Sequence, residues 1–550
     1  MKEVIPLSKW YNAKDYTYEE TGVQFHCTDD RIQNLYDSLT ELCKDNIKQF
    51  GEMKIMKEGA KYDGVWLETQ PMGGEMYACR DIEIALNNHL IFMKHQRRDG
   101  RMHGMITYIE PYKGTCVHQD WMQGDFFTPS AFRMYYLINK DKNYLQKLYE
   151  CLRDFDEYLW AYRDSDGDGC LEAWCVWDTG DDNSTKLLTR RIHHCNHGLV
   201  SGEEPPTDYG MFPFESAEYM AYSYSHRIVL AKISEILDNG EADKWYKGAK
   251  EIQQKVADYL WGKDKKAVYD RDRNNEMMYT LTTSNIKCMY HGLFTQKMAD
   301  EFIREHLVNP DEFFTHMPLP TIAANDPLFY VNDELNNLSE ENKKLVEEFG
   351  GEDILDNAWA GTVQGLTIQR SVDALLNYNH VAEAAYIGRR WLDTLSKSDR
   401  IVQQYNPFTG EPCPGDNGYG PAILSALEYI SYLYGVDYVC DTLRWGCAHN
   451  GCDSTFTQKL FGKEYTITHK EGIATAMCNG EEWFSVSEGV TIVTDMDGNI
   501  ISVSGVEHNS KNITLSYKGC ISDTTVKSNQ IYKVIDNKLT FDKQIEYAIK

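Results

Sequence analysis

Apolar residues recur every three or four positions over most of the chain between about residue 30 and residue 436. This spacing puts them on one face of a helix, so the pattern predicts long amphipathic helices. Helices in pairs, joined by loops of unequal length, indicate a toroid of helical hairpins. The predicted helices are RIQNLYDSLTELCKDNIKQF (31–50), DIEIALNNHLIFMKHQ (81–96) and segments at about 130–140, 143–163, 215–238, 241–262, 296–307, 360–380, 381–397 and 420–435.

The period of the pattern changes beyond about residue 440. The runs YTITH, WFSVS, VTIVTD, NIISVSG and NITLSYKG are short, rich in β-branched residues and separated by Gly, Asp and Asn, which is typical of strands. MDGNI indicates a hairpin turn between two of them. The sequence therefore predicts a mainly α fold in three parts: an N-terminal extension (1–24), a helical barrel (25–438) and a C-terminal β-sandwich-like domain (439–550).

The net charge limits the kinds of binding partner, and the cysteine content indicates the cellular compartment. The formal net charge is −28, so nucleic acid and anionic membranes are repelled. A neutral or cationic small molecule is compatible with this charge, whereas an anionic one would need a local basic pocket. The 15 cysteines are odd in number and follow no repeating framework, which favours free thiols in the cytoplasm. The first residues contain no apolar signal segment, and no window is apolar enough to span a bilayer. A homo-oligomer is compatible with this composition.

One short stretch, WDTGDDNS at residues 177–184, gathers three aspartates within five positions. A solvated acidic turn accounts for the Asp, Gly, Asn and Ser residues, but it does not call for Trp174 and Trp177 beside them. Aromatic residues make up 12% of the chain; they serve either core packing or stacking against the apolar faces of sugar rings. The stretch is therefore a candidate active site as well as a candidate turn.

Four passages, taken in order along the chain, carry a family resemblance. The passage at 163–184 resembles the "D-x-D-x-D-G-L … S-G-x-D-N-S" passage of inverting glycoside hydrolases with an (α/α)6 barrel; these include glycoside hydrolase family 63, the mannosylglycerate hydrolases and, more distantly, the trehalases. The resemblance implies that fold and the cleavage, with inversion, of a small oligosaccharide or glycoside. The passages are RDSDGDGCLEAW with WDTGDDNS (163–184), RDIEIALNNHLIFMKHQRRDGRMHG (80–104), NAWAGTV (357–363) and QQYNPFTGEP (403–412).

The resemblance implies a general acid within the aspartate-rich stretch. Inversion requires one protonated carboxyl group for the leaving oxygen and a second carboxylate, about 6.5–9.5 Å away, that deprotonates water. The family's acid is the fourth residue of S-G-x-D-N-S, which here is Asp182. Asp178 and Asp181 would be negative neighbours that raise its pKa, and Trp177 would be an aromatic wall of the pocket.

The catalytic base is where the sequence departs from the family. The family's glutamate lies two residues before the tyrosine of "E-x-Y", here Tyr405, and that position is Gln403. A neutral amide cannot accept a proton at pH 7. Another carboxylate could act, Glu411 first and then Asp416; Gln403 could orient a water that a remote carboxylate polarises; or phosphate could be the nucleophile, as in a phosphorylase.

Two further passages supply candidate substrate-binding residues. The resemblance implies that Trp359 lines the pocket and that Gly361 permits close approach of the chain, while the family's arginine between them is replaced by alanine. The glycine-bearing segment 66–81 is predicted to be a loop before a helix. This segment supplies four candidate substrate-binding residues: Glu75, Tyr77, Arg80 and Asp81. The alternative is that the segment is a helix N-terminus stabilised by carboxylates.

The run DSDGDG suggests a structural calcium ion, and no other cofactor is required. Asp164, Asp166 and Asp168 occupy positions one, three and five of an EF-hand-like loop, whose position twelve is Cys175 instead of a bidentate glutamate. Glu172 or a distant carboxylate would complete the site; the alternative is a solvated turn between helices.

The run RRIHHCNHG (190–198) contains His193, His194, Cys195 and His197. Their spacing matches no standard zinc site, so a polar loop or basic residues at the pocket entrance are the alternatives.

The sequence therefore favours a cytoplasmic inverting glycosidase. Three alternatives remain: a phosphorylase, which would depend on phosphate; an epimerase or isomerase, with a histidine pair as acid and base; and a sugar-binding relative that shows no turnover.

Overall fold

The structure is a computed structural model of the chain, and it describes residues 11–59, 61–108, 116–119, 122, 124–182, 184–188, 205, 212–331, 344 and 359–549. Up to Tyr434 the described chain is mainly helical, and beyond it the chain forms strands, so the whole fold contains both α and β structure. The helices in chain order are α1 Asp30–Asn46, α2 Gln70–Tyr77, α3 Ile82–Lys94, α4 Phe127–Leu137, α5 Lys142–Tyr162, α6 Thr185–Leu188, α7 Ala217–Leu237, α8 Ala242–Tyr259, α9 Ser284–Tyr290, α10 Gln296–Phe302, α11 Gly365–Leu376, α12 Val381–Leu395 and α13 Gly420–Tyr434.

Six of these helices contact one another in a closed order. Helix α2 packs on α4, α4 on α7, α7 on α9, α9 on α11, α11 on α13, and α13 packs back on α2. Helices α3, α5, α8 and α12 each follow a member of this ring along the chain and pack against it, and α1 packs on α13. We call α2, α4, α7, α9, α11 and α13 the inner ring.

Burial along the helices agrees with these two layers. In α13 every residue except Glu428 is buried, because the helix has neighbours on nearly all sides. In α8, which lies outside the ring, the buried residues are Trp245, Gly248, Ala249, Ile252 and Val256, whose spacing marks a single apolar stripe. Side chains of Asp29, Asp81, Asp141, Ser216 and Thr295 cap helix N-termini.

Helix α2 forms inside the segment that the sequence predicted to be a loop. Its two glycines lower the intrinsic helix propensity, but they permit close packing on α3. A Cβ atom on Gly74 would lie 2.6 Å from the Cβ of Asn88, and the amide of Asn88 donates hydrogen bonds to the carbonyl oxygens of Met56 and Gln70. Tertiary packing therefore outweighs propensity here.

The strand-rich region beyond Tyr434 forms two antiparallel sheets, and its prediction is confirmed. A seven-stranded sheet has the order β1-β15-β16-β17-β18-β21-β22, and a six-stranded sheet has the order β13-β14-β19-β20-β23-β24. The strands are β1 Gly22–Cys27, β2 Ile47–Phe50, β3 Met53–Met56, β4 Gly64–Trp66, β5 Met105–Tyr108, β6 Cys116–Gln119, β7 Glu172–Ala173, β8 Phe214–Glu215, β9 Trp261–Gly262, β10 Ala267–Val268, β11 Val363–Gln364, β12 Gln404–Tyr405, β13 Val436–Val439, β14 Thr442–Cys447, β15 Ser454–Leu460, β16 Lys463–Lys470, β17 Ile473–Cys478, β18 Glu481–Ser487, β19 Val490–Asp495, β20 Ile500–Gly505, β21 Lys511–Tyr517, β22 Cys520–Val526, β23 Gln530–Ile535 and β24 Lys538–Gln544.

The two sheets meet through alternating buried residues. Trp445 of the six-stranded sheet makes edge-on ring contacts with Tyr465 and Phe484 of the seven-stranded sheet. The first strand of the larger sheet, β1, comes from before the helices and pairs with β15, from Gly22 opposite Lys459 to Cys27 opposite Ser454. The predicted boundaries at residues 24 and 438 did not anticipate this pairing, since a six-residue strand carries too short a pattern to assign it to a distant sheet.

Within the described residues, we find no helix that combines the length and the apolar character needed to cross a membrane.

Candidate active site

The aspartate-rich stretch lies in the loop between β7 and α6, and its first aspartate is structural. Asp178 is fully buried and pairs with Arg163, whose Nη1 lies 2.6 Å from Oδ2. The same carboxylate accepts the backbone N–H groups of Met122 and Trp174. Burial raises the pKa of Asp178, but Arg163 and these N–H donors lower it by more. Asp178 therefore stays ionised and fixes the loop.

Asp181 belongs to a second buried ion pair. Lys287, on inner helix α9, places its Nζ 2.6 Å from the Asp181 carboxylate, 3.0 Å from that of Glu218 and 2.9 Å from the carbonyl oxygen of Thr179. Burial lowers the pKa of Lys287, but the two carboxylates raise it by more, so the side chain is charged. The sequence assigned Asp178 and Asp181 to raising the pKa of the acid, and in the structure each of them pairs with a buried cation.

Asp182 and Trp359 come together, although they lie far apart in sequence. The backbone N–H of Trp359 donates to the carbonyl oxygen of Asp182 at 2.9 Å, and Asp182 is half-buried. The indole ring of Trp359 has the Nζ of Lys287 5.4 Å from its centre and the guanidinium carbon of Arg370 at 5.9 Å. The predicted acid therefore lies beside the predicted aromatic wall.

Glu68, just before α2, faces the same region. Its Oε1 accepts a hydrogen bond from Nη2 of Arg370 at 2.5 Å, and the Arg370 guanidinium lies 3.9 Å from the centre of the Phe126 ring. Gly180 has a positive φ of 74°, and a Cβ atom there would overlap the Glu68 carboxylate. The glycine in the aspartate-rich stretch is therefore required both by the turn and by this close approach.

Glu58 approaches from the segment after β3. Its Oε1 accepts a hydrogen bond from the hydroxyl of Tyr419 at 2.8 Å, and its backbone carbonyl accepts the N–H of Gly420 at 2.5 Å. Tyr62, in the same segment, donates its hydroxyl to Oε1 of Gln403 at 3.3 Å. Contacts of Tyr62 and Tyr419 therefore join the segment of Glu58 to the loop that begins with Gln403.

The charge of Asp182 acts on both glutamates. Burial and the charge of Asp182 raise the pKa of Glu58, Tyr419 and Arg370 lower it, and the net pKa is about 7. Burial likewise raises the pKa of Glu68 to about 8, with Asp182 adding to the shift and Arg370 opposing it. Carboxyl groups whose charges shift one another's pKa can divide the roles of proton donor, proton acceptor and sugar ligand.

These groups gather where the inner ring helices begin. Glu68 precedes α2, Glu218 is the second residue of α7, Lys287 is the fourth of α9, Arg370 is the sixth of α11 and Tyr419 is the N-cap of α13. Helix N-termini stabilise negative charge, which favours a cluster of carboxylates at this end of the ring.

The substitute bases predicted from sequence lie elsewhere. Glu411 is exposed in the turn after β12, where its N–H donates to Thr409 and its carbonyl accepts from Asn406. Asp416 is exposed and pairs with Lys61 at 2.5 Å. Gln403 is half-buried, and its backbone carbonyl oxygen accepts a hydrogen bond from the N–H of Gly365 at the start of α11. Gln403 is thus partly enclosed and contacts Tyr62, whereas Glu411 and Asp416 are exposed to solvent.

Tyr405 and Gly361 serve packing. The Tyr405 hydroxyl accepts the N–H of Val402 at 3.0 Å, and its ring meets Trp391 edge-on in the core. A Cβ atom on Gly361 would lie 2.5 Å from the carbonyl oxygen of Tyr330, so the close approach that this glycine allows is between two chain segments. Trp177 is half-buried and packs against Cys175.

The structure does not bring the four candidates of segment 66–81 to this end of the ring. Glu75 pairs with Arg133 at 3.2 Å in a cavity between the far end of the inner ring and β13. Tyr77 is buried beside Arg80, whose Nη1 contacts the sulfur of Cys79. Asp81 accepts the N–H of Ile84 as the N-cap of α3, which is the helix-terminus alternative that the sequence left open.

The predicted calcium loop does cluster carboxylates. Ligand atoms of Asp164, Asp166 and Asp168 lie within 4.8 Å of one another, and so do those of Asp166, Glu172 and Glu215. Glu215 is buried on β8, and its Oε2 has no hydrogen-bond partner among the described residues. Sequence reasoning missed Glu215 because only the pairing of β8 with β7 brings it to this loop. The run containing His193, His194, Cys195 and His197 lies outside the described residues.

The residues that sequence reasoning missed at the candidate site include Glu58, Glu68, Lys287 and Arg370. A signal existed for two of them, because Lys287 and Arg370 are charged residues inside the short apolar helices α9 and α11, where an unpaired charge would be costly. The two glutamates stand in irregular segments, and nothing local distinguishes them from surface acids.

Comparisons with known proteins identify the family of the chain. The model of the mannosylglycerate hydrolase MGH1-like glycoside hydrolase domain matches residues 69–420. Among solved structures, the GH63 mannosylglycerate hydrolase from Thermus thermophilus in complex with glucose is similar with a TM-score of 0.56 at 16% identity, over 72% of this chain and 99% of that one. No curated protein sequence matches the chain.

Two more distant solved structures share the fold. Neutral trehalase Nth1 from Saccharomyces cerevisiae matches with a TM-score of 0.50 at 12% identity, over 69% of this chain and 73% of that one. A sialidase matches with a TM-score of 0.60 at 12% identity, over 88% of this chain and 43% of that one. At these identities the likeness establishes fold, whereas the family model covers more than half of the chain. The chain therefore belongs to the mannosylglycerate hydrolase MGH1-like glycoside hydrolases, and it is a glycosidase.

Proposed function

We propose that this glycosidase cleaves a small oligosaccharide or glycoside with inversion of the anomeric carbon, and that Asp182 is the general acid. The observation that carries the proposal is the position of Asp182 beside Trp359, at the end of the inner ring where Glu58 and Glu68 also lie. Inversion needs two carboxyl groups on opposite sides of the scissile bond, and this end of the ring offers more than one partner for Asp182.

We infer that the closed ring of six helices is an (α/α)6 toroid. The cyclic contact order from α2 to α13 and back, with outer helices packed on the ring, supports this architecture. In such a ring the inner N-termini and the loops before them form a cup, and the candidate site residues come from those loops and first turns.

In the proposed reaction the remaining charged groups bind and orient. Glu68, held by Arg370, presents a fixed carboxylate oxygen for sugar hydroxyls. Trp359 offers an apolar face for the ring, as aromatic residues commonly do for the C–H faces of sugars. Lys287 holds the Asp181 carboxylate, and with it the backbone that carries Asp182.

A panel of aryl glycosides and disaccharides, assayed with and without inorganic phosphate, tests the proposal. We expect release of free sugar from at least one substrate at a rate that phosphate leaves unchanged. Strict phosphate dependence with formation of a sugar 1-phosphate would instead identify a phosphorylase. Binding of saccharide without turnover would identify a non-catalytic relative, and interconversion of a free sugar would identify an epimerase.

We also propose a structural calcium ion at the loop that precedes the aspartate-rich stretch. Asp164, Asp166, Asp168 and Glu172 were predicted from the sequence, and Glu215 joins them with a buried oxygen that lacks a partner among the described residues. Burial raises the pKa of Glu215 to about 8, and the neighbouring carboxylates of Asp168, Glu172 and Asp166 add to the shift. Such a set of oxygen donors fits the ligands that calcium prefers.

Calcium would neutralise these carboxylates and stiffen the loop that leads to Asp178. We expect a chelator to lower the melting temperature of the wild type and added calcium to restore it. Asp166 belongs to both carboxylate groups, so Asp166→Asn should abolish the response to calcium. Asp154→Asn changes an exposed ion pair on α5 and should retain the response. Melting curves of the wild type that are identical with chelator and with calcium would exclude the site.

A further inference from the structure

Hydrolysis with inversion needs a carboxylate that takes a proton from water, and the family position for it holds Gln403. An amide has no basic oxygen or nitrogen at neutral pH. The proton acceptor must therefore come from a different segment of the chain if this protein is to turn over a glycoside.

Most carboxylates of the candidate site are held by a cation. Arg163 pairs with Asp178, Lys287 with Asp181 and Glu218, and Arg370 with Glu68. In each of these pairs, protonating the carboxylate would leave a buried cation without its partner, which is costly. The pairing therefore disfavours these carboxylates as proton acceptors, although burial leaves the pKa of Glu68 raised to about 8.

Glu58 differs from them in its surroundings. Among the described residues it has no ion-pair partner, and the hydroxyl of Tyr419, a neutral group, donates a hydrogen bond to it. Glu58 is buried, with 9% of the residue exposed.

The position of Glu58 also matches the missing function. The carbonyl of Glu58 accepts the N–H of Gly420, which ends the same loop that begins with Gln403. Tyr62 and Tyr419 bridge the two segments, since one hydroxyl bonds Gln403 and the other bonds Glu58. Glu58 therefore packs against the loop that carries the family's base position, although it comes from a different chain segment.

We propose that Glu58 is the catalytic base of this glycosidase and takes the place of the glutamate that Gln403 replaces. This inference rests on the proposed inverting hydrolysis. In the step, a water oxygen bonds to the anomeric carbon while the bond to the glycosidic oxygen breaks. One water proton passes to Glu58, and the proton of Asp182 passes to the leaving oxygen. Exchange with solvent then returns both carboxyl groups to their starting states.

Gln403 becomes a positioning residue in this arrangement. Its amide oxygen accepts from Tyr62 at 3.3 Å, so its NH2 group remains as a donor that can bind the attacking water. Glu58 would then accept the proton of a water that Gln403 orients, which joins two alternatives that the sequence left separate.

The pH profile offers one test. Because Glu58 must be ionised, kcat/KM should fall as the pH is lowered through about 7, the value to which burial raises its pKa. Tyr419→Phe removes the hydroxyl that lowers this pKa, so the acidic limb should move to higher pH. A limb that lies near the ordinary glutamate pKa of about 4.3 in the wild type, and that does not move in Tyr419→Phe, would contradict the assignment.

The decisive experiment uses Glu58→Ala and the 2,4-dinitrophenyl glycoside that the wild type hydrolyses. The rate should fall by about 10²–10⁴-fold, and azide, a nucleophile that needs no base, should restore turnover. The product should be a glycosyl azide with the anomeric configuration opposite to that of the substrate. Glu58→Gln, which keeps the shape, should lose a similar factor, and Glu411→Gln, at the exposed alternative, should retain the wild-type rate.

The outcomes separate this inference from the proposed function. If the wild type hydrolyses the glycoside and Glu58→Gln keeps its rate within a few fold, Glu58 is not the base although hydrolysis stands. If both Glu58 variants lose activity while circular dichroism shows native folds and azide rescues neither, the residue has a structural role only. If the wild type hydrolyses no glycoside in the panel, the proposed function itself fails.

Discussion

Asp182→Asn should lower turnover of glycosides with poor leaving groups by about 10²–10⁴-fold, because the amide keeps the shape of the side chain but has no acidic proton to give. Activated leaving groups such as dinitrophenolate need little protonation, so their rates should fall far less. Measuring kcat/KM for a series of aryl glycosides against leaving-group pKa checks this: the slope should steepen in the variant.

Asp178→Asn is the companion variant for Asp182→Asn. Because Asp178 is buried and paired with Arg163, its replacement should lower the melting temperature and affect all leaving groups alike. Suppose that Asp182→Asn keeps wild-type rates on every substrate while Asp178→Asn steepens the dependence of the rate on the leaving group. Then Asp178 is the acid, and the family motif was matched to this sequence one turn too far along the chain.

Lys287→Met should lower the free energy of unfolding by about 3–5 kcal/mol, because it leaves the buried carboxylates of Asp181 and Glu218 without their cation. The folded state raises the pKa of Lys287, so its contribution is complete below the ordinary lysine pKa near 10.5 and is lost only above the folded pKa. Urea unfolding at pH 7 therefore measures the whole effect.

Two comparisons make the Lys287→Met result specific. Lys140→Met removes an exposed lysine that pairs with Asp441, and it should change stability by less than about 1 kcal/mol. Adding Glu218→Gln to Lys287→Met should recover part of the loss, because one unpaired charge disappears. A loss below about 1 kcal/mol in Lys287→Met would show that the network does not hold the aspartate-rich loop in place.

The fold was predictable from sequence where one periodic signal ran over many residues. The spacing of apolar positions located helices such as α1, α5 and α8, and the change of period located the strand-rich region. Helix α2 was missed because its glycines weaken the local signal, and its packing on Asn88 is a tertiary effect. The origin of β1 was missed for the same reason, since its partner β15 lies more than 400 residues away.

The candidate site was predictable only in its family-like parts. The motif order placed Asp182 and Trp359 in one pocket, and the structure joins them by a hydrogen bond. Glu75 was predicted beside them because it lies in the glycine-bearing segment 66–81. However, Glu75 lies further along α2, roughly 7 Å beyond its first residue at a rise of about 1.5 Å per residue. At that position it pairs with Arg133. Glu58 could not be found from sequence, because it depends on contacts with a loop about 360 residues further along the chain.

Proton NMR of the first-formed sugar tests the central claim most directly. An aryl glycoside that the enzyme accepts is hydrolysed in the spectrometer, and the anomeric signal is recorded before mutarotation equilibrates it. Inverting hydrolysis by Asp182 and a base across the scissile bond predicts that the opposite anomer appears first. First appearance of the anomer with the substrate's own configuration would require a covalent glycosyl-enzyme intermediate and would contradict the proposed mechanism.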